Sequence, residues 1–320
     1  MLAPYTPAIY VELQFAKYAM FGSEECASAA RASSESASEG FDFMKRVFYL
    51  ENFNLNHTLN CGQVFRWRFN GKEWIGIVEN STVKAKQRND MLAVEADLNS
   101  EVISNYFRLD DDLEEIYSCI ARDRAMKRAI ELYRGLRLIR QDPWECLISY
   151  ICSAASNIPR IQNVIENLCR NFGVKIASRY YGFPNPERLS KATELELRKC
   201  GLGFRSASVL EAARLVVNEE IDLNRLRKLD YSAAKQKLKA IKGVGDKIAD
   251  CVLLFSCNKL EAFPVDRHVK RYMQQVYFKK PTSNEAIRGF ARNYFGEYCG
   301  YAQQYIYTYQ RERGQEDEVR

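Results

Sequence analysis

The hydrophobic period of this chain changes once, near residue 100, and that change bounds the folds open to it. From about Phe48 to Asp97 the pattern has period two, through VFRWRF, KEWIGIV, STVKAKQ and MLAVEAD, with Asn70-Gly71 and Asn89-Asp90 between runs. Such alternation puts every second side chain on one face of a strand, and Asn-Gly supplies the positive φ values of a tight hairpin. A small antiparallel sheet is expected. After Glu101 the spacing becomes helical and stays so, as in DPWECLISYICSAASNIPRIQNVIENLCRNF and ASVLEAARLVVNEE. Asp142-Pro143 reads as an N-cap followed by proline at the first helical position. The fold class is therefore α+β, a small N-terminal antiparallel β-sheet domain packed on a mainly α-helical body.

Punctuation divides the chain further. Residues 23–40 are small, polar and repetitive, and cannot bury enough apolar surface to offset chain entropy. Residues 1–43 are expected to be a disordered extension, with Met44 an alternative start. The sheet domain and its linking helices would occupy 44–135, the helical domain 136–312, and a charged tail 313–320. No run approaches the roughly 18 uncharged apolar residues of a bilayer span, and Glu12 and Lys17 interrupt the semi-apolar N-terminus. Neither secretion nor membrane association is expected, and residence is read as intracellular, in cytoplasm or nucleoid for a prokaryote and in the nucleus for a eukaryote.

The net charge of +6 understates the body, because residues 44–310 hold 42 basic against 31 acidic side chains and the acidic excess sits at the ends. A basic body suits a polyanionic partner, although lysines and arginines also simply solvate helix faces. The ten cysteines are scattered singly, with no CxxC and no Cys/His quartet for zinc. Only Cys257 and Cys299 lie beyond Cys251, which excludes a C-terminal four-cysteine iron–sulfur site. No metal or cofactor is expected.

Chemistry concentrates in residues 239–273, KAIKGVGDKIADCVLLFSCNKLEAFPVDRHVKRYM. Gly243, Val244 and Gly245 fall between two helical stretches. Two glycines there let backbone N–H groups approach a phosphate at the positive end of the following helix. This is a helix-hairpin-helix pattern, which grips DNA backbone without reading sequence, although a plain interhelical loop could also contain GVG. Lys247 lies in the first turn of the second helix, where the dipole and partial burial disfavour the ammonium and favour a nucleophilic amine. The alternative is a phosphate-contacting lysine. Asp266 follows Pro264 and stands as N-cap of the amphipathic stretch DRHVKRYMQQVY, where its carboxylate can stabilise a cationic sugar. Such a cap is structural in most helices, but paired with GVGxK it forms a constellation.

GVGDKIADC and FPVDRH resemble the helix-hairpin-helix glycosylases with a Gly/Pro-rich loop and catalytic aspartate. With CGQVFRW at 61–67, RQDPWECLISYICSAASNIPRI at 140–161, GLGFRSAS at 201–208 and GYAQQYIY at 300–307, the likeness narrows to the eukaryotic-type branch of the 8-oxoguanine DNA glycosylase/AP lyase family over residues 48–312. The resemblance implies that Lys247 attacks C1′ and forms a Schiff base that permits β-elimination, while Asp266 stabilises charge and moves protons. It implies a base pocket of Gly62, Cys251, Pro264, Gln303 and Tyr307, with the Gly62 carbonyl accepting the N7 hydrogen that only the oxidised base carries. Gly62 can equally be a turn residue, and Cys251 and Tyr307 core residues. Gln303 and Tyr307, four apart, share a helix face.

His268 matches a phosphate contact, whereas His57 has no motif and reads as structural. Carbonyls of Lys239, Ile241 and Val244 are a candidate cation site at the hairpin. Arg160 and Arg205 match arginines that read the cytosine opposite the lesion, with Phe204 where the animal pattern has tyrosine and Ala155 where it has a gap-filling asparagine. Fewer polar groups would reach that cytosine, which implies a weaker preference for it. The implied partner is double-stranded DNA containing 8-oxoguanine, bound by a monomer. The rivals are another glycosylase of this superfamily, of the endonuclease III, adenine or alkylbase type, and a non-catalytic DNA-binding scaffold.

Overall fold

The structure is a computed structural model that describes residues 10–12 and 44–319, with side chains over 44–314. Six strands, β1 (Tyr10–Glu12), β2 (Met44–Tyr49), β3 (Arg68–Phe69), β4 (Trp74–Val78), β5 (Ser81–Arg88) and β6 (Met91–Ala96), form one antiparallel sheet in the order β1-β2-β6-β5-β4-β3. Strand β2 closes on β6 from Met44 opposite Ala96 to Tyr49 opposite Met91. One sheet face carries Phe48, Val83, Ala85, Leu92 and Val94, packed with Phe53, Leu55, Leu59, Ile103 and Phe107 into a core of its own. Full burial of residues such as Leu92 and Val94 contributes roughly 1.5–3 kcal/mol each.

Fourteen α-helices are described. The first four are α1 (Leu55–Asn60), α2 (Ser100–Tyr106), α3 (Leu113–Ile120) and α4 (Arg124–Leu132). Then come α5 (Pro143–Cys152), α6 (Ile158–Phe172), α7 (Pro186–Ser190), α8 (Glu194–Lys199), α9 (Ser206–Val217) and α10 (Tyr231–Lys239). The last four are α11 (Asp246–Ser256), α12 (Arg267–Met273), α13 (Asn284–Phe295) and α14 (Cys299–Val319). From α3 onward their apolar faces share a second, larger core, in which α11 is buried from Ile248 to Ser256. The α+β architecture stands as expected. So does the start of α5, where Asp142 accepts from Glu145 N–H at 2.8 Å ahead of Pro143.

Four local expectations are corrected. The run VFRWRF is a strand only at Arg68–Phe69, because Cys61 and Phe65 turn into the helical core while Val64 and Trp67 pack on the sheet. Helix α1 interrupts the period-two region, started by Asn54, whose side chain accepts from His57 N–H at 2.9 Å. Asn70-Gly71 is not a two-residue turn: Asn70 Oδ1 accepts from both Lys72 and Glu73 N–H, and of the pair only Gly71 has positive φ, +92°. A two-residue turn lies instead at Glu79-Asn80, with φ of 47° and 61°, and another at Asn89-Asp90, as the sequence pattern placed it. Finally, the helical body includes a short hairpin, β7 (Lys175–Ala177) with β8 (Tyr180–Tyr181). Of the expected N-terminal extension, Tyr10–Glu12 pairs with β2, and the rest of residues 1–43 lies outside the described residues.

Candidate active site

Helices α10 and α11 with the turn between them form the expected helix-hairpin-helix. Gly243 sits at φ +84°, and a Cβ there would lie 2.4 Å from Ser208 Oγ on α9, so only glycine suits the position. Val244 is buried and its N–H donates to the Ile241 carbonyl at 3.0 Å, which anchors the tip and engages one of the three carbonyls of the candidate cation site. Gly245 is the N-cap of α11, supplies no side-chain cap, and faces open space on its Cβ side. The leading N–H groups of α11 are thereby left for an external acceptor such as phosphate.

Lys247 stands in the first turn of α11, half-buried. Its Nζ donates to Ser153 Oγ at 3.1 Å and lies 5.0 Å from the centre of the Tyr150 ring. Tyr150 is fixed in turn by stacking on Phe255 at 5.6 Å and by a 3.2 Å hydrogen bond from its hydroxyl to the Gln63 carbonyl. One turn further along α11, Cys251 is buried on the same face as Lys247. Burial pushes its thiol up to about 12, the Asp250 and Asp266 carboxylates add to that, and the Lys247 amine opposes it. Cys251 is therefore a neutral thiol that both Lys247 and Asp266 reach electrostatically.

Asp266 caps α12 as expected, accepting from Val269 N–H at 2.8 Å through one oxygen. Its neighbour His268 has its imidazole held below the usual range by burial, over the opposite pull of Asp266. Tyr307 meets His268 edge-on at 5.9 Å, and burial raises its phenol with Asp266 adding to the effect. Asp266, His268 and Tyr307 are thus mutual neighbours.

Gly62 completes the ring of residues. At φ +81° it adopts a backbone open to glycine, and a Cβ on it would stand 3.2 Å from Tyr307 Cε1 and Ile158 Cδ1 and 3.0 Å from Arg311 Nη1. The segment is held against α14 by Gln304 Nε2 on the Cys61 carbonyl and Arg311 Nη2 on the Asn60 carbonyl, both at 2.8 Å. Gln303, only 4% exposed, has an Oε1 with no hydrogen-bond partner. An unpaired buried amide oxygen costs about 1–3 kcal/mol, so this one is available to a donor that enters beside it. Pro264 is buried just ahead of Asp266.

The residues expected to face the opposite strand gather at the turn that follows Ser153, the partner of Lys247. Phe204 is 67% exposed, with the Arg205 guanidinium 4.8 Å from its ring centre. Arg205 is buried, donating to the carbonyls of Ala154 at 2.7 Å, Leu202 at 3.0 Å and Ala155 at 3.3 Å. Arg160 is exposed at the start of α6. His57, without a motif, packs edge-on against Tyr133 at 5.5 Å. Sequence reasoning missed Tyr150, Ser153, Gln304 and Arg311, whose roles come from tertiary proximity that no local pattern encodes. Among the described residues no group of three or more His, Cys, Asp or Glu could hold a metal ion, and no helix is long and apolar enough to cross a membrane.

Residues 47–147 match the description "8-oxoguanine DNA glycosylase, N-terminal domain", and residues 148–294 match "HhH-GPD superfamily base excision DNA repair protein". A probable N-glycosylase/DNA lyase of Methanothermobacter thermautotrophicus is 32% identical over 243 residues, covering 69% of this chain and 77% of the relative. The N-glycosylase/DNA lyase of Saccharomyces cerevisiae is 32% identical over 271 residues, covering 74% and 72%. Among solved structures, the Clostridium acetobutylicum 8-oxoguanine glycosylase/lyase, in complex with double-stranded DNA containing cytosine opposite 8-oxoguanine, superposes with a TM-score of 0.81 at 34% identity, over 86% of this chain and 99% of that one. Two adjoining matches that together span residues 47–294, and relatives alike over most of their length, lead to one conclusion: the chain belongs to the 8-oxoguanine N-glycosylase/DNA lyase family of helix-hairpin-helix base-excision repair proteins.

Proposed function

We propose that this protein excises 8-oxoguanine from duplex DNA and then nicks the strand, with Lys247 as nucleophile and Asp266 as its electrostatic and proton-transfer partner. The observation that carries the reading is the grouping of Lys247, Cys251 and Asp266 with Tyr307 and Gly62, and the unpaired Gln303 Oε1, one turn before Tyr307 on α14, supports it. The target bond cannot be reached inside the base stack, so the nucleotide must be extruded. Cys251 and Tyr307 then flank the base, Gln303 takes donors from its Watson–Crick edge, and the Gly62 carbonyl accepts N7–H. Guanine would present a lone pair to that carbonyl, which makes the contact a discriminator.

Once Lys247 has shed its ammonium proton, its nitrogen attacks C1′. The C1′–N9 bond breaks, N9 keeps the electron pair, and the proton released by the attacking nitrogen passes to the departing base. Asp266 stabilises the cationic sugar as that charge develops and can relay the proton. Ring opening gives an imine between Lys247 and C1′; loss of a C2′ proton then expels the 3′ phosphate. An amine and a carboxylate suffice for these steps, and we assign no metal or cofactor. Gly243, Gly245 and His268 serve as phosphate contacts, while Val244, whose N–H is spent on the Ile241 carbonyl, anchors the turn instead of meeting phosphate. Arg160 and Phe204 face the opposite strand, with Arg205 bracing the loop beside them. The acting species is proposed to be a monomer inside the cell.

The test is borohydride trapping on duplex containing 8-oxoguanine. Wild-type protein should give a covalent adduct and Lys247→Gln none. Excision without any adduct would move the protein to the class of glycosylases that use water as nucleophile.

A further inference from the structure

Arg311 has no part in the steps above, yet its guanidinium lies among the pocket residues. It is one turn beyond Tyr307 on α14, its side chain is 12% exposed, and its Cζ lies 5.6 Å from the Tyr307 ring centre. Nη2 is anchored on the Asn60 carbonyl at 2.8 Å, with the Glu312 carboxylate 3.6 Å away. Nη1 is the nitrogen that stands 3.0 Å from the position of a Cβ on Gly62. The cation is therefore held by the Asn60 carbonyl and by the Tyr307 phenol, with Nη1 beside the glycine whose carbonyl is proposed above to meet the base.

We propose that Arg311 is a specificity-determining residue that donates from its guanidinium to the C8 oxygen of the extruded base. The proposal rests on the reading of function above and deepens it. The edge of the base that meets Gly62 carries N7–H with O6 on one side and O8 on the other. O6 is common to guanine and 8-oxoguanine, so a donor there separates nothing. At C8 guanine has only C–H, and a guanidinium facing it loses its acceptor. With the Gly62 carbonyl on N7–H, the pocket thus reads both atoms by which the two bases differ.

The same contact bears on the chemical step. When the C1′–N9 bond breaks, the pair left on N9 spreads through C8 onto O8 as an amidate. A cation already in place at O8 strengthens its interaction as that charge grows, which is the condition for lowering a barrier and not merely tightening binding. Nicking of a preformed abasic site involves no departing base, so it draws nothing from this contact.

The experiment compares single-turnover base excision and abasic-site nicking in wild type, Arg311→Met and Arg311→Lys. Arg311→Met should slow excision of 8-oxoguanine by about tenfold or more, the scale of one lost charged hydrogen bond, while abasic nicking stays within about twofold of wild type. Arg311→Lys should recover part of the loss. On 8-thioxoguanine, which keeps N7–H and replaces only the C8 oxygen by a weaker acceptor, the penalty of Arg311→Met should shrink. Equal excision rates in wild type and Arg311→Met would overturn the proposal. A parallel fall in nicking would reassign Arg311 to holding Gly62 and α14 in place, and an undiminished penalty on the thioxo base would put its contact elsewhere on the nucleotide. Wild-type protein that nicks abasic DNA but leaves 8-oxoguanine intact would instead sink the reading of function itself.

Discussion

Ala155 holds its backbone at φ +49°, a left-handed conformation that asparagine tolerates well and alanine disfavours. It is exposed at the end of the α5–α6 turn, and its carbonyl accepts from Arg205. Arg205 spends Nε, Nη1 and Nη2 on the carbonyls of Ala154, Leu202 and Ala155, so its fork is committed to joining two loops before any base arrives. Phe204 beside it offers a ring with no hydroxyl. Readout of an orphaned cytosine therefore falls largely to Arg160. A good side-chain pair discriminates by about 1–3 kcal/mol, and two or three such pairs are needed for strong selection. Excision rates measured opposite each of the four bases should favour cytosine by no more than about 150-fold, the upper end of what one such pair supplies. Ala155→Asn, which fits the existing backbone and restores an amide, should widen that preference; a strong preference in the unmodified protein would reject the argument.

At the scale of elements, α11 carries Lys247 on one face and an ion cluster on the other. Asp246 and Asp250, one turn apart, face Lys235 and Lys239 of α10 and Arg288 of α13. Lys235 lies 2.8 Å from Asp250, Lys239 2.9 Å and Arg288 3.2 Å from Asp246, and the Tyr231 hydroxyl donates to Asp250 at 2.6 Å. Burial raises the Asp250 carboxyl, against the pull of Lys235, and one of its oxygens has no hydrogen-bond partner. The cluster is thus expensive to assemble and harmful to break from one side. Asp250→Ala should cost about 3–5 kcal/mol in unfolding free energy by denaturant titration, since it leaves the largely buried Lys235 only the more distant Asp246 carboxylate, at 3.6 Å. Little of this was legible in the sequence. The hairpin and the Asp266 cap were readable because glycine, N-cap and helix start are local rules. Arg66, by contrast, lent VFRWRF a strand-like alternation, but pairs at 3.1 Å with Glu145 of α5, a partner 79 residues away. Ser153 beneath Lys247, 94 residues from it, was invisible for the same reason.

The whole molecule has two cores, and residues 61–67 run between them. Gln63 is fully buried at the crossing. Its Nε2 donates to the carbonyls of Thr58 at 2.9 Å and Arg137 at 2.8 Å, its Oε1 accepts from Ile139 N–H at 2.8 Å, and its own carbonyl receives Gln141 Nε2 at 2.8 Å as well as the Tyr150 hydroxyl. One side chain therefore ties the sheet side to the helical side, and its backbone holds the ring on which Lys247 rests. Gln63→Leu keeps the bulk and strands the Arg137 carbonyl and Ile139 N–H in a buried place, at about 1–3 kcal/mol each. Trp67 and Trp74 sit in the sheet core and Trp144 in the helical one, so tryptophan fluorescence weights the sheet while circular dichroism at the helical bands weights the body. In wild type the two signals should move together during urea unfolding, because the crossing couples the cores into one cooperative unit. In Gln63→Leu the fluorescence transition should come first and separate from the helical one. Coincident curves at a lower midpoint would mean that packing across the boundary, not the Gln63 crossing, couples the halves.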